Sequence, residues 1–221
     1  MTWNDGYQVW LSESESLENA QKVADHLGDS WSPLAISALC GNMRHESSIN
    51  PDMYEYGYDW EDDRGYGLVQ WTPRSKYWNW AVSNNLPPRD GDSQLERIDY
   101  EVDNDIQWIA NGHAKRYGRE DKYDFSFATF RTTDSYTVGQ LTEAFMWNYE
   151  GPNYEAGQNS LSGRISFAEL AYNTLDFSGD GPDPDPDPDP DPDPDPDPSN
   201  YKAYLNRHST NMRRMGVRGG R

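Results

Sequence analysis

Apolar residues recur with helical spacing through most of residues 15–176. Leu17, Ala20, Val23, Ala24 and Leu27 fall on one helical face, and Gly28 follows as a stop. Ser32 and Pro33 read as the N-cap and first residue of a second helix. Leu34 to Met43 is apolar nearly all round, which predicts a buried helix. Thr72-Pro73 predicts another cap-and-proline start, for a helix through about Ala81. Ser93 with Glu96 reads as a capping box ahead of Leu95, Ile98, Val102, Ile106 and Ile109. Thr137 with Gln140 reads as a second, ahead of Leu141, Ala144 and Phe145. A last helix carries Leu161, Ile165, Ala168 and Leu175, and a short one is expected over 126–131.

One segment has a different period. Tyr54, Tyr56, Tyr58 and Trp60 recur at every second position, as in a strand. Asp62-Asp63-Arg64-Gly65 supplies turn chemistry, and an apolar run returns from Tyr66 to Trp71. The pattern predicts a small β-hairpin or β-like lobe over 53–71. Six or seven helices with one such lobe make the expected class α+β, mainly helical.

Composition changes this picture at the C-terminal end. The 221 residues hold 38 Asp plus Glu against 19 Lys plus Arg, a formal charge of −19. Residues 182–198 are an unbroken Pro-Asp alternation of nine Pro and eight Asp, and 199–221 carry six basic residues and no acid. Residues 1–181 then hold 13 basic and 30 acidic residues. The expected organisation is an acidic domain over 1–181, a linker over 182–198 and a basic tail over 199–221. Every second linker residue lacks an amide hydrogen, and each Asp precedes a Pro, so polyproline II is the expected state. Fully extended, the linker would span roughly 50 Å at about 3.1 Å per residue. The acidic balance argues against a duplex-DNA binder. No run of 18 apolar residues occurs, so no membrane span is expected. The N-terminus has neither a basic start nor an apolar stretch, so no secretory signal is expected.

Several chemistries are excluded by spacing. His45-Glu46 begins like a zinc-protease motif, but Ile49 stands where the second histidine would be. His26, His113 and His208 show no ligand spacing, and a lone Cys40 forms neither a disulfide framework nor a zinc cluster. No metal or cofactor is expected. Cys40 falls in the apolar helix and reads as a buried thiol. Glu46 is different: Leu39, Met43 and Glu46 are spaced by four and three at the C-terminal end of the most apolar helix. A carboxylate there is partly desolvated and near the negative end of a helix dipole, and both favour the neutral form that a general acid needs.

The motifs around Glu46 occur in a specific order. Gly41-Asn42-Met43 precedes Glu46-Ser47, and Gly67-Leu68-Val69-Gln70-Trp71-Thr72-Pro73 follows the aromatic segment. Asp92 to Ile98, Gln107-Trp108, and Phe145 through Asn148-Tyr149-Glu150-Gly151-Pro152 come later. Over roughly 15–176 the chain resembles the phage tail lysozyme family, the lysozyme-like part of tail-tip morphogenesis lysins of short-tailed phages of Gram-positive bacteria. The resemblance implies a lysozyme-like α+β fold and cleavage of peptidoglycan. It implies Glu46 as proton donor to the glycosidic oxygen, with Gln70, Tyr66 and Tyr149 lining the sugar cleft. It further implies a location on the virion, at the tail tip, with tail-tip proteins as partners.

Two departures from the family pattern stand out. Relatives can carry a metal-dependent peptidase domain after the lysozyme part, where this chain has the spacer and 23 residues, so no peptidase is expected. Glu150 stands before Gly151-Pro152, where the family usually has an Arg ahead of the Pro. A second carboxylate is open among Glu55, Asp59, Glu61, Asp62 and Asp63. Three readings remain: a muramidase-type hydrolase, a lytic transglycosylase giving anhydro products, and a non-catalytic wall-binding tail-tip protein. Aromatic residues of 54–71 serve either as sugar platforms or as core. The tail, with Tyr201, Tyr204 and Leu205 among its basic residues, is expected to dock on an acidic partner surface, with the spacer holding it off the acidic domain.

Overall fold

The computed structural model describes residues 2–58 and 60–178. The expected linker and basic tail lie outside the described residues. Eight α-helices occur among those described: α1 (Glu13–Leu27), α2 (Pro33–Ser47), α3 (Ser75–Ser83), α4 (Gly91–Asp103), α5 (Gly112–Tyr117), α6 (Phe127–Thr132), α7 (Val138–Phe145) and α8 (Tyr154–Thr174). A single 3-10 turn covers Trp60–Asp62, and a π-helical turn, Met146–Glu150, continues α7. None of the described helices is long and apolar enough to cross a membrane.

α2 is the central element. Its N-cap is Ser32, whose hydroxyl accepts from the Ala35 amide at 3.2 Å, and Pro33 opens the helix as expected. Ile36, Leu39, Cys40 and Met43 are all fully buried, and α2 packs against α1, α6, α7 and α8. Truncating Leu39 to Ala would cost about 2–5 kcal/mol, the range for a large core side chain. Burial also pushes the Cys40 thiol pKa up, which leaves it an inert core group.

Local capping signals are met where no neighbour competes. Thr137 and Gln140 form both bonds of a capping box, at 3.2 and 2.9 Å. Two expected starts shift. α4 begins at Gly91, ahead of Ser93, because the bare Gly91 Cα lies against the Trp3 indole, where a Cβ would approach to 2.2 Å. Ser93 is therefore inside the helix, buried, and Ile106 and Ile109 fall beyond its end. α3 begins at Ser75 because Asp63 caps it from another segment, accepting from the Ser75 amide at 2.8 Å and its hydroxyl at 2.6 Å. Thr72 instead donates to the Gln70 carbonyl.

Among the described residues the aromatic segment 53–71 holds no strand. It makes two isolated antiparallel bridges, Tyr54 with Tyr66 and Tyr66 with Trp71. Alternation fails after Glu55 because the chain turns at Gly57, with φ +87°, and Trp60 enters the 3-10 turn. Aromatic packing fixes the lobe instead. Trp60 meets Tyr54, Tyr66 and Trp78 at centroid distances of 5.2, 5.7 and 5.0 Å, and the Arg74 guanidinium lies 4.0 Å from the Trp60 ring.

Candidate active site

Glu46 occupies the last turn of α2, and the helix end is held from three sides. Ser48 and Ile49 adopt left-handed backbone, and their amides close on the Arg44 and Met43 carbonyls. The Ser47 hydroxyl bonds the Leu68 carbonyl at 2.8 Å, which ties α2 to the aromatic lobe. Asn19 of α1 donates to the Ile49 carbonyl at 2.8 Å. The helix end is thereby a fixed platform for the carboxylate.

Glu46 faces a cleft of about 720 Å³. One wall comes from Met53 to Tyr56 and Val69 to Thr72, the other from Tyr149, Glu150 and Pro152, with Trp10 at one edge. Gln70 lines this cleft, and its amide nitrogen bonds the Met53 and Gly67 carbonyls and so braces the loop. Tyr149 lies in the cleft wall, almost fully buried, and its hydroxyl donates to Glu101 at 2.5 Å. The structure does not bring Tyr66 to the cleft: it is fully buried, and its hydroxyl donates to Asp52 at 2.9 Å. Of the aromatic residues in the lobe, Tyr56 is 86% exposed at the cleft, whereas Tyr54, Tyr66 and Trp71 are core. Trp10, 57% exposed, is a second open aromatic surface there, from a segment that sequence patterns left unassigned.

Glu101 is the buttress behind the walls. It accepts from Trp71 Nε1 at 3.1 Å, Arg97 Nε at 2.8 Å and the Tyr149 hydroxyl. Burial raises its pKa, opposed by those three donors. The carboxylates weighed as a second acid separate clearly. Glu55 lines the cleft and accepts from the Gly65 amide. Glu61 and Asp62 are exposed, and Asp63 caps α3 and pairs with Arg74. Asp59 lies outside the described residues.

Two charged residues at the site were missed in the sequence. Arg164 of α8, 2% exposed, donates from Nη2 to Glu46 Oε1 at 2.5 Å; Glu46 itself is 22% exposed. Its other nitrogens hold Asn42 Oδ1 at 2.9 Å and Ser160 at 3.2 Å. The carboxylate read as partly desolvated at a helix end is thus an ion-paired one. A signal existed: Arg164 is the sole basic residue of α8 and shares the stripe of Gly157, Phe167, Ala168 and Ala171 that is buried. Glu150 is the other. It borders the cleft at the end of the π turn, its Oε1 is buried, and that atom has no hydrogen-bond partner among the described residues. π turns recur at functional sites because the extra residue re-aims a side chain.

The phage tail lysozyme family model matches residues 18–175. The chain belongs to the phage tail lysozyme family. It is also 38% identical over 172 residues to Morphogenesis protein 1 of Bacillus phage B103. That alignment covers 77% of this chain and 43% of the relative, so the chain spans less than half the length of the curated relative it matches. The cleft-lining residues from Glu46 to Pro152 lie inside the residues matched to the phage tail lysozyme family, while Gln8 and Trp10 precede them.

Proposed function

We propose that the chain is a muramidase-type hydrolase of peptidoglycan glycan strands, carried on a phage tail and opening the bacterial wall at infection. The observation that supports it is the placement of Glu46: Arg164 occupies Oε1, and Oε2 has no hydrogen bond among the described residues, in a cleft with open aromatic surfaces at Tyr56 and Trp10. Glu46 Oε2 carries the proton to the bridging oxygen as the glycosidic bond breaks, and water supplies the hydroxyl to the sugar carbon. Among the described residues of the expected set, Glu55 faces the same cleft, which favours hydrolysis over an acid-only route to anhydro products.

Glu46→Gln keeps size and hydrogen bonding but removes the proton. Cleavage of purified walls should fall by on the order of 10²–10⁴ with the fold intact. Activity within about threefold of the parent chain rules this reading out and favours a wall-binding role. Mass spectrometry of released fragments should show reducing muramic ends; uniform loss of one water would establish the transglycosylase reading. The basic tail 199–221 is proposed to dock the chain on acidic tail-tip proteins. Its deletion should leave wall cleavage normal and lower incorporation into particles, and full incorporation discards the tether.

A further inference from the structure

Trp10 borders two cavities, the cleft of Glu46 and a smaller groove of about 320 Å³. Arg44 and His45 of α2 line the groove from one helix, and Phe167 and Leu170 of α8 from another. Arg44 and Glu46 stand about 200° apart round α2 and about 3 Å apart along it, so they address different cavities. Trp10 is fixed beside both by its neighbours. The Val9 carbonyl accepts from Asn50 at 2.7 Å, and the Leu11 amide donates to the Ser48 hydroxyl at 2.8 Å, just beyond the end of α2.

Arg44 has no counter-ion in this groove. Its guanidinium makes no hydrogen bond or ion pair among the described residues, and its Nη1 is buried without an acceptor. Glu13 also lines the groove and acts on Arg44 by charge, but forms no ion pair with it. Other arginines of the domain are paired: Arg89 with Asp52, Arg97 with Glu101, Arg131 with Asp103 and Arg164 with Glu46. Residues 1–181 hold 30 acidic residues against 13 basic ones, so acids were in ample supply. Arg44 is instead backed by two rings, 5.6 Å from that of Trp10 and 5.8 Å from that of Phe167.

We propose that this groove is a subsite for the peptide branch of the glycan strand, with Arg44 binding a carboxylate of the branch and Trp10 forming the wall between sugar and peptide. This rests on peptidoglycan being the substrate. Such a strand supplies what the groove lacks: its muramic units carry a short peptide through a lactyl ether, and the peptide carries carboxylates. Three to five residues, extended, reach about 10–17 Å, enough to clear one indole ring. A guanidinium receives a carboxylate through a planar fork, and aromatic backing leaves that fork less hydrated. Phe167 and Leu170 offer apolar surface to the branch. The Ser166 hydroxyl, which donates to the Ser162 carbonyl at 2.9 Å, is left as an acceptor for a branch amide. His45 is shifted down by burial and then by Arg164, so it is neutral near pH 7 and Arg44 carries the positive charge of the groove.

The test is binding of a disaccharide tripeptide, N-acetylglucosaminyl-N-acetylmuramyl tripeptide, with its peptide carboxyls free or converted to amides. It holds no muramyl bond to a following sugar, so binding is read without cleavage. The parent chain should bind the free acid about tenfold more tightly, as for one hydrogen bond between charged groups. Bulk charge works the other way, since an acidic domain attracts the amidated probe more. Arg44→Gln should abolish the preference, and Arg119→Gln, an exposed arginine lining neither cavity, should keep it. With soluble uncross-linked strands, Arg44→Gln should raise KM for free-carboxyl strands to the value for amidated ones. Equal affinity of the parent chain for both probes overturns the proposal, and so does a preference that survives in Arg44→Gln. If Arg44→Gln does not fold, Gly163→Leu decides: Gly163 lines the groove and a Cβ there meets nothing within 4 Å, so leucine should fill the groove and remove the preference. A preference retained in Gly163→Leu overturns it equally. The two readings fail separately. An active Glu46→Gln removes the glycosidase reading and leaves an Arg44-dependent preference standing, whereas an inactive Glu46→Gln with no preference between probes removes only the branch subsite.

Discussion

Gly41 of α2 lies so close to Arg164 of α8 that a Cβ on the glycine would sit 2.4 Å from the Arg164 carbonyl oxygen and 2.8 Å from Ala168 Cβ. The missing side chain lets α8 settle onto α2 one turn before Glu46, which is how a guanidinium from the last helix meets the carboxylate. Gly41→Ala should therefore destabilise the chain by at least about 1–3 kcal/mol, since a backbone atom is the obstacle. Wall cleavage should fall with it. Gly163→Ala, where a Cβ meets nothing within 4 Å, should instead stabilise by about 0.4–1 kcal/mol. Urea midpoints for the two variants that move the same way would contradict this packing.

Arg164 serves three partners through a planar fork, which an ammonium cannot copy. Arg164→Ala should cost about 3 kcal/mol, near the low end for breaking a buried pair, because Glu46 retains 22% exposure. Arg164→Lys should lie between the two in urea denaturation, with Asn42 left short of a donor. Equal stability of Ala and Lys variants would show that charge contributes nothing there.

Glu143 of α7 links Lys122, Tyr123 and Trp147 at 3.2, 2.7 and 3.2 Å. Burial alone would raise its pKa, but hydrogen bonds from Tyr123, Trp147 and Lys122 hold it below the usual carboxylate value. A carboxyl held lower in the folded chain adds stability above its unfolded value and loses it as pH falls through the folded one. Glu143→Gln should lower Tm at pH 7, and the gap should narrow below about pH 4. A gap that is constant from pH 7 to pH 3 would mean that the charge is not the cause.

Among the described residues no group of three or more His, Cys, Asp or Glu is placed to hold a metal. Chelator treatment is expected to leave wall cleavage unchanged. A loss that zinc restores would contradict it.

What could be read in the sequence was local. Thr137 with Gln140 and Ser32 with Pro33 settle within one helical turn, and the structure repeats them. Glu46 stood out because a buried helix ends beside it, and it lines the cleft. Tyr54, Tyr56 and Tyr58 carried a strand period, but Gly57 and the Trp60 turn send them to different environments, from fully buried Tyr54 to open Tyr56. Ser93 with Glu96 had the letters of a capping box, but contact between Gly91 and Trp3, residues far apart in the chain, moved the helix start. Arg164 left a local signal, a lone basic residue in the buried stripe of α8, but the partner that gives it meaning, Glu46, lies 118 residues earlier.

The separation of 118 residues between Glu46 and Arg164 also sets an order in time. A growing chain exposes Glu46 early, yet the arginine that neutralises it leaves the ribosome only after the other helices of the domain and half of α8. Any interrupted or clipped product lacking α8 therefore carries Glu46 without the partner that holds its Oε1. Glu46 gains its counter-charge only once the last helix of the domain has been made.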